Sequence, residues 1–322
     1  MITNGDDQIA VVPVRHYGRL VGALIALVAV AMLIHTLFSR VVAPSGKGTV
    51  WRFSWDVVHQ YFFTSEIFQG LYRTILLTII SMAIGISLGI IVAIMRLSPS
   101  RLVSATAWSY TWFFRGTPVY VQLLFWFNIA ALYPQITIGL PFMHVTFLTL
   151  NANSITPFIA GFLALGLNEA AYMSEIARSG IISVDEGQIE AASSIGMTRG
   201  QTLRLVVIPQ AMRVIIPPTG NEVISMLKTS SLAAAIGVTE LTGTAQNIYS
   251  ANYKVMALLI VISLWYLAIT TLLSIGQFYV ERHFAKGALR TPPPTPIERL
   301  KGDIRGIAGK FVSKRPAKEV SR

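Results

Sequence analysis

Cysteine is absent from the 322 residues, so the chain holds neither a disulfide nor a thiolate metal site, and its redox compartment is left open. Charge is scarce as well: 13% of residues are Asp, Glu, Lys or Arg, where a soluble domain carries about 25%. The five histidines, at 16, 35, 59, 144 and 283, are scattered without metal-ligand spacing. No GxxxxGK[ST] stretch is present to cradle nucleotide phosphates, and neither GxSxG nor HExxH marks a hydrolase. These absences leave no catalytic set and no metal or cofactor on this chain.

What fills the sequence instead is apolar. Hydrophobic residues make up 53% of it, gathered in several runs near twenty long, the pattern of an integral membrane protein solvated by lipid. The net charge of +11 does not indicate nucleic acid. From Glu281 onward 11 Lys/Arg stand against 4 Asp/Glu, so +7 of it sits in a tail suited to a cytoplasmic, anionic-lipid-facing position.

Six spans can be drawn, giving an all-α membrane fold: Leu20–Phe38, Leu71–Met95, Gly116–Tyr133, Pro157–Ala177, Val214–Val238 and Val255–Val280. The first is too long for the apolar core of a signal peptide, and Pro44 follows Val42-Ala43, so it reads as an anchor. Residues 134–156 carry no Lys, Arg, Asp or Glu, whereas 96–115 and 178–213 carry Arg96, Arg101, Arg115, Arg178, Arg199, Arg204 and Arg213. The positive-inside rule places those two loops and both termini in the cytoplasm, and 39–70, 134–156 and 239–254 outside. Arg40, Lys47 and Arg52 fit the first outside loop least well. Its second half, WDVVHQYFFTSEIFQGLY, is aromatic and amphipathic and predicts an interfacial helix.

The polar stretch EAASSIGMTRGQTLRLVVIP at 190–209 interrupts the apolar pattern. Ser183 and Glu186 fit a capping box opening a helix to about Ser194, with Gly196 as a left-handed stop. Thr198 and Gln201 fit a second box, whose helix is expected to reach Val207 and end before Pro209. Such a pair also occurs in DNA-binding motifs, but this one is tied to spans at both ends and its first helix is acidic (Asp185, Glu186, Glu190). A solvated loop leaves Ala191, Ala192, Ile195 and Leu203 unexplained; a docking surface for another protein accounts for them.

At this point the sequence resembles a known family. EAA, three residues, Gly, nine residues and V-V-I-P is similar to the EAA coupling loop of ABC importer permeases, with Val206 and Ile208 as conservative departures. FFRGTPVYVQLLFW at 113–126, AAYMSEIARSGI at 170–181, PQAMRVIIPPTGNEVISMLKTSSL at 209–232 and RTILLTIISM at 73–82 resemble its polar amino-acid (histidine, glutamine, arginine) branch. The resemblance covers about residues 68–284.

It implies a type I importer core of five spans over 67–285, with coupling loop 183–212. Residues 1–66 add a cytoplasmic N-terminus, an extra span and the interfacial helix, and 286–322 a weakly structured basic tail. The implied function is the permease subunit of an ATP-driven amino-acid importer in a bacterial inner membrane. It pairs with a second permease, identical or paralogous, with separate ATPase subunits that bind ATP and Mg, and with an extracytoplasmic solute-binding protein. Coupling to the ATPase falls on Glu190, Ala191, Ala192, Gly196, Ile208 and Pro209. The alternatives are an ATP-independent secondary transporter or channel, for which no internal repeat is visible, and a membrane scaffold, which gives no reason for polar faces on two spans.

Those faces are functional candidates because polar groups at membrane depth are expensive. On span four, Asn168, Tyr172 and Glu175 fall at i, i+4 and i+7, with Glu169 beside them at mid-depth. Span five carries Asn221, Glu222, Ser225, Lys228 and Ser231 behind Pro217-Pro218. They line either a path between two permease subunits or an internal ion pair joining Lys228 to a span-four Glu. Glu175 and Lys228 sit in blocks shared with the family, while Glu169 lies outside AYMSEI and is the better specificity candidate. Arg115-Gly116-Thr117-Pro118 is expected to break a helix that would otherwise run from 103 to 133, about 46 Å against roughly 30 Å of hydrocarbon. Gly85 and Gly89 form a GxxxG suited to close helix packing.

The tail opens with TPPPTP and spreads its basic residues without an amphipathic period. Deletion of residues 296–322 is therefore expected to leave transport intact in a cell-uptake assay. Loss of assembly with the ATPase in that truncation would instead make the tail a docking element.

Overall fold

The computed structural model describes residues 17–42, 48–140 and 145–284. The basic tail and the Arg15 flank of the first span lie outside the described residues. The described residues form two compact units, one within 17–64 together with 248–261, the other within 65–247 together with 262–284.

In the first unit, α1 (Tyr17–Phe38) is apolar around its whole circumference, as a span in lipid should be. A short hairpin follows, β1 (Arg40–Val42) pairing antiparallel with β2 (Thr49–Trp51), and then α2 (Trp55–Phe62). Trp55 ties these pieces together: its Nε1 donates to the Leu37 carbonyl at 2.9 Å, and its ring stacks on Phe38 at 5.3 Å. Of the interfacial helix expected over WDVVHQYFFTSEIFQGLY, α2 takes the first eight residues, with Val57 and Val58 buried, and from Ser65 the stretch opens the next, long helix instead.

The second unit is built on α3 (Ser65–Arg96). The chain then forms α4 (Arg101–Gly116), α5 (Val119–Phe127), α6 (Ile129–Leu132) and a second hairpin, β3 (Gln135–Leu140) with β4 (Val145–Asn151). The two hairpins are small additions to an otherwise helical body. Next come α7 (Pro157–Ile182), α8 (Glu186–Ser194), α9 (Arg199–Thr202), a π-helical turn over Leu203–Val207, α10 (Ile208–Thr229), a 3-10 segment to Ile236, α11 (Leu241–Asn252) and α12 (Val255–Phe284).

Among the described residues, α1, α3 and α12 are long and apolar enough to cross a membrane by length and composition. Helices α7 and α10, with 26 and 22 residues, reach about 39 and 33 Å but carry the polar residues named above. The expected third span is not one helix from Gly116: α4 ends there, and Asn128 interrupts the run between α5 and α6. The stretch 239–254, expected as an outside loop, is likewise mostly helix α11. Glu240, 0% exposed, starts it, accepting from the Thr242 and Gly243 amides at 2.9 and 2.8 Å and from the Tyr266 hydroxyl at 3.0 Å.

Helix α7 begins cleanly because Thr156 caps it, accepting from the Ile159 amide at 3.3 Å, and Pro157 occupies its first turn, where no donor is needed. It is the central element, packing on α3, α4, α5 and α10. Against α3 it lies unusually close. A Cβ on Gly89 would stand 2.6 Å from the Met173 Cβ, and one on Gly85 would stand 2.5 Å from the Glu169 Cγ. Small residues on α3 (Ser81, Gly85, Gly89) bring the two backbones together, which is how helices associate where lipid removes the hydrophobic drive.

Gly89→Val is expected to cost about 1–3 kcal/mol by overpacking, seen as a lower unfolding temperature of the detergent-purified protein. Gly276→Ala in α12, where an added Cβ meets nothing within 4 Å, serves as the control that leaves it unchanged. Equal stability of both variants would refute the close α3–α7 contact.

Candidate functional site

The polar residues of α7 and α10 meet the break between α4 and α5. The helix stops at Gly116 because Thr117 is extended (φ −111°, ψ 143°) and Pro118 heads the next helix with φ −63°. The break is held by an amide pair. Gln122 Nε2 donates to the Phe114 carbonyl at 3.0 Å and to Thr117 Oγ1 at 2.7 Å. Asn168 Nδ2 donates to the same Phe114 carbonyl at 2.7 Å and to Gln122 Oε1 at 3.2 Å. Tyr110 adds a bond from its hydroxyl to the Leu167 carbonyl at 2.7 Å. The amide nitrogen of Asn168 is therefore committed to fixing the break, and Gln122, unnoticed in the sequence, is its partner.

Around this break lies a cavity of ≈ 520 Å³, within the range of about 300–1,000 Å³ typical of small-molecule sites. Arg115, Asn168, Glu169, Tyr172, Glu222 and Ser225 contribute its polar lining. The Arg115 guanidinium stands 5.3 Å from the Tyr172 ring centroid. Glu169 is 4% exposed, and among the described residues its Oε1 has no hydrogen-bond partner. Two carboxyl groups and one guanidinium thus share one concave space. Its chemistry favours a ligand with a cationic end and a separate anionic group.

Four other expected path residues lie elsewhere. Glu175 is held by Arg96 at 3.3 Å and by Arg178 at 2.9 Å, so its charge is spent in a local network at the end of α7. Lys228 is exposed and, among the described residues, pairs with no α7 carboxylate. Arg96 and Arg178 occupy Glu175, which the ion-pair alternative had offered to Lys228. Asn221 turns to α12, where Gln277 Nε2 donates to its Oδ1 at 3.1 Å. Ser231 donates to the Lys228 carbonyl at 2.6 Å and so closes the end of α10. Of the face drawn through Asn221, Ser225 and Lys228, Ser225 alone lines the cavity: Asn221 accepts from Gln277, and Lys228 is exposed.

The loop between α7 and α10 is compact. Val184, Val207 and Ala211 are buried beneath it with Ile181 and Ile215 packed against them. Its first cap differs from expectation: Asp185, not Ser183, opens α8, accepting from the Gly187 amide at 2.8 Å. Ser183 is still in helical conformation, and its hydroxyl donates back to the Gly180 carbonyl at 2.7 Å. The Thr198–Gln201 capping box is formed in both directions, at 2.8 and 3.4 Å. Gly196 has φ +81°, a left-handed turn with open space where a side chain would go.

The second helix does not end before Pro209. A widened π turn precedes the proline, whose missing donor then falls in the first turn of α10, and the helix runs on. Glu190, Ala191, Gly196, Ile208 and Pro209 are exposed, as are Ile195 (79%) and Leu205 (64%). Ala192, at 4%, faces inward, because α8 packs on α9 and the π turn.

Residues 85–286 match the family of binding-protein-dependent transport system inner membrane components. The chain is 44% identical over 280 residues to the arginine transport system permease protein of Corynebacterium glutamicum, covering 87% of this chain and 84% of that one. It is 39% identical over 229 residues to an L-cystine transport system permease protein of Bacillus subtilis, covering 71% and 90%. A crystal structure of an amino acid ABC transporter with histidines superposes with TM-score 0.62 at 36% identity, over 71% of this chain and 98% of that one. By fold and by sequence, therefore, the chain is a member of the binding-protein-dependent transport system inner membrane components.

Proposed function

We propose that this chain is the permease subunit of an ATP-driven importer of cationic amino acids, and that the cavity on α7 and α10 receives the basic end of the cargo. The observation that carries this reading is Glu169. A buried carboxyl oxygen without a partner is costly, and a cargo ammonium or guanidinium supplies the missing partner. Glu222 reinforces the negative potential of the same lining, and Arg115 is available to the cargo carboxylate. The likeness to a relative named for arginine transport supports a basic cargo.

The transport work is divided among subunits. The exposed residues of the α8–α9 loop, centred on Glu190, Ala191, Gly196, Ile208 and Pro209, dock a separate ATPase subunit that binds ATP and Mg. Ala192 serves that surface from below, by seating α8. A second permease subunit completes the path, and an extracytoplasmic binding protein delivers the cargo. The loop and both termini face the cytoplasm, in keeping with the arginines that flank it.

Glu169→Gln keeps shape and removes charge. It is expected to lower uptake of radiolabelled arginine by about tenfold, the value of one charge-assisted hydrogen bond, with insertion and basal ATPase activity retained. Unchanged uptake of acidic, neutral and basic amino acids alike would sink the assignment. Gly196→Val forces a branched residue into a left-handed turn, at about 1–2 kcal/mol. In the assembled complex it is expected to abolish ligand-stimulated ATPase activity and uptake while the protein still inserts; normal coupling would show that the turn is not part of the docking surface.

A further inference from the structure

Toward the C-terminal ends of α3 and α7 lies a second cavity, of ≈ 500 Å³, that shares no lining residue with the cargo site. Arg96, Arg101 and Arg178 line it from three separate places: the last turn of α3, the first residue of α4 and the final third of α7. Ser98, Ser104 and the Trp108 ring also line it. Glu175 is the one carboxylate paired into this cluster among the described residues, and it is shared by Arg96 and Arg178. Three guanidinium groups against one carboxylate leave an excess of two positive charges. Arg101 is exposed and, among the described residues, forms no ion pair.

The depth of the cavity identifies its ligand. Arg96 is the last residue of a 32-residue helix that is apolar enough to span, so the guanidinium cluster sits where hydrocarbon gives way to headgroups. Leu97, Ala105 and Trp108 form apolar walls beside the charges. Trp108 and Trp112 stack at 6.2 Å and are 53% and 64% exposed, the placement of indoles that prefer the membrane interface. A guanidinium cluster next to exposed indoles complements an amphiphile with an anionic head; an acidic protein surface would leave the indoles unanswered.

We propose that this cavity is a binding site for an anionic phospholipid, whose headgroup phosphate is held by Arg101 with Arg96 and Arg178, and whose acyl chains lie against Trp108 and Leu97. Arg101 is the residue to test, because its removal leaves the Arg96–Glu175–Arg178 network intact. The inference is independent of the cargo: it stands or falls by lipid retention.

The intact transporter, purified in detergent, would be given phosphatidylglycerol and phosphatidylcholine in equal amounts and weighed by native mass spectrometry. The wild type is expected to retain phosphatidylglycerol preferentially. Arg101→Gln is expected to lose that preference, and Arg101→Lys to recover part of it. Equal preference in the wild type and in Arg101→Gln overturns the site. Displacement of the lipid by millimolar inorganic phosphate would reveal a free-anion site, and release of an ATPase subunit from Arg101→Gln with lipid retention unchanged would reveal a protein contact; either result overturns it as well.

Discussion

The close approach of α3 and α7 is the constraint on which the rest depends. Where Gly85 and Gly89 meet Glu169 and Met173, there is no room for even one added methyl group. This contact sets the rotation of α7. That rotation in turn decides which of its polar residues reach the cavity and which reach the arginine cluster. Asn168, Glu169 and Tyr172 face the break between α4 and α5, while Glu175, one turn further on, falls among Arg96 and Arg178. One glycine-lined seam therefore sorts a single helix into a ligand-facing portion and an ion-paired portion.

The cavity itself is assembled from elements far apart in the chain. The Phe114 carbonyl would be left without a helical partner at the α4 terminus, and two amides from different helices supply the bonds. Gln122 is 5% exposed, so loss of either amide would strand a buried polar group. Asn168 and Gln122 have a structural duty first, whereas Glu169 keeps a buried oxygen, Oε1, without a partner among the described residues.

Much of this was legible in the sequence wherever the signal was local. Thr198 with Gln201, the glycine at 196 and the Arg115–Pro118 break each depend on neighbours within a few residues, and each stands as read. Local reading failed where two local solutions competed, as at Ser183 and Asp185, both able to cap; the continuation of α7 decided for Asp185. It failed also where the partner is distant. The pairing of Asn168 with Gln122 spans 46 positions, and that of Arg96 with Glu175 spans 79. Periodicity places a residue on a face but does not say what lies opposite, so it left open both a path and an ion pair to α7 for Lys228. The burial of Glu240 at the head of α11 had no sequence signal beyond an acid before a helix start.

The helical run from Arg199 through the π turn into α10 has a mechanical meaning. Between the exposed loop and Glu222 no irregular segment intervenes; the two are joined by one rod about 21 Å long from Ile208. A twist applied at one end of such a rod is delivered to the other. The rod nevertheless has a compliant joint partway along. Pro217 and Pro218 offer no donors to the carbonyls of Arg213 and Val214, so bending stiffness is lowest there, while Gln277 braces the Pro217 carbonyl from α12 at 3.2 Å. The bend point set by Pro217 and Pro218 therefore lies between the exposed loop and the part of α10, Glu222 and Ser225, that lines the cavity.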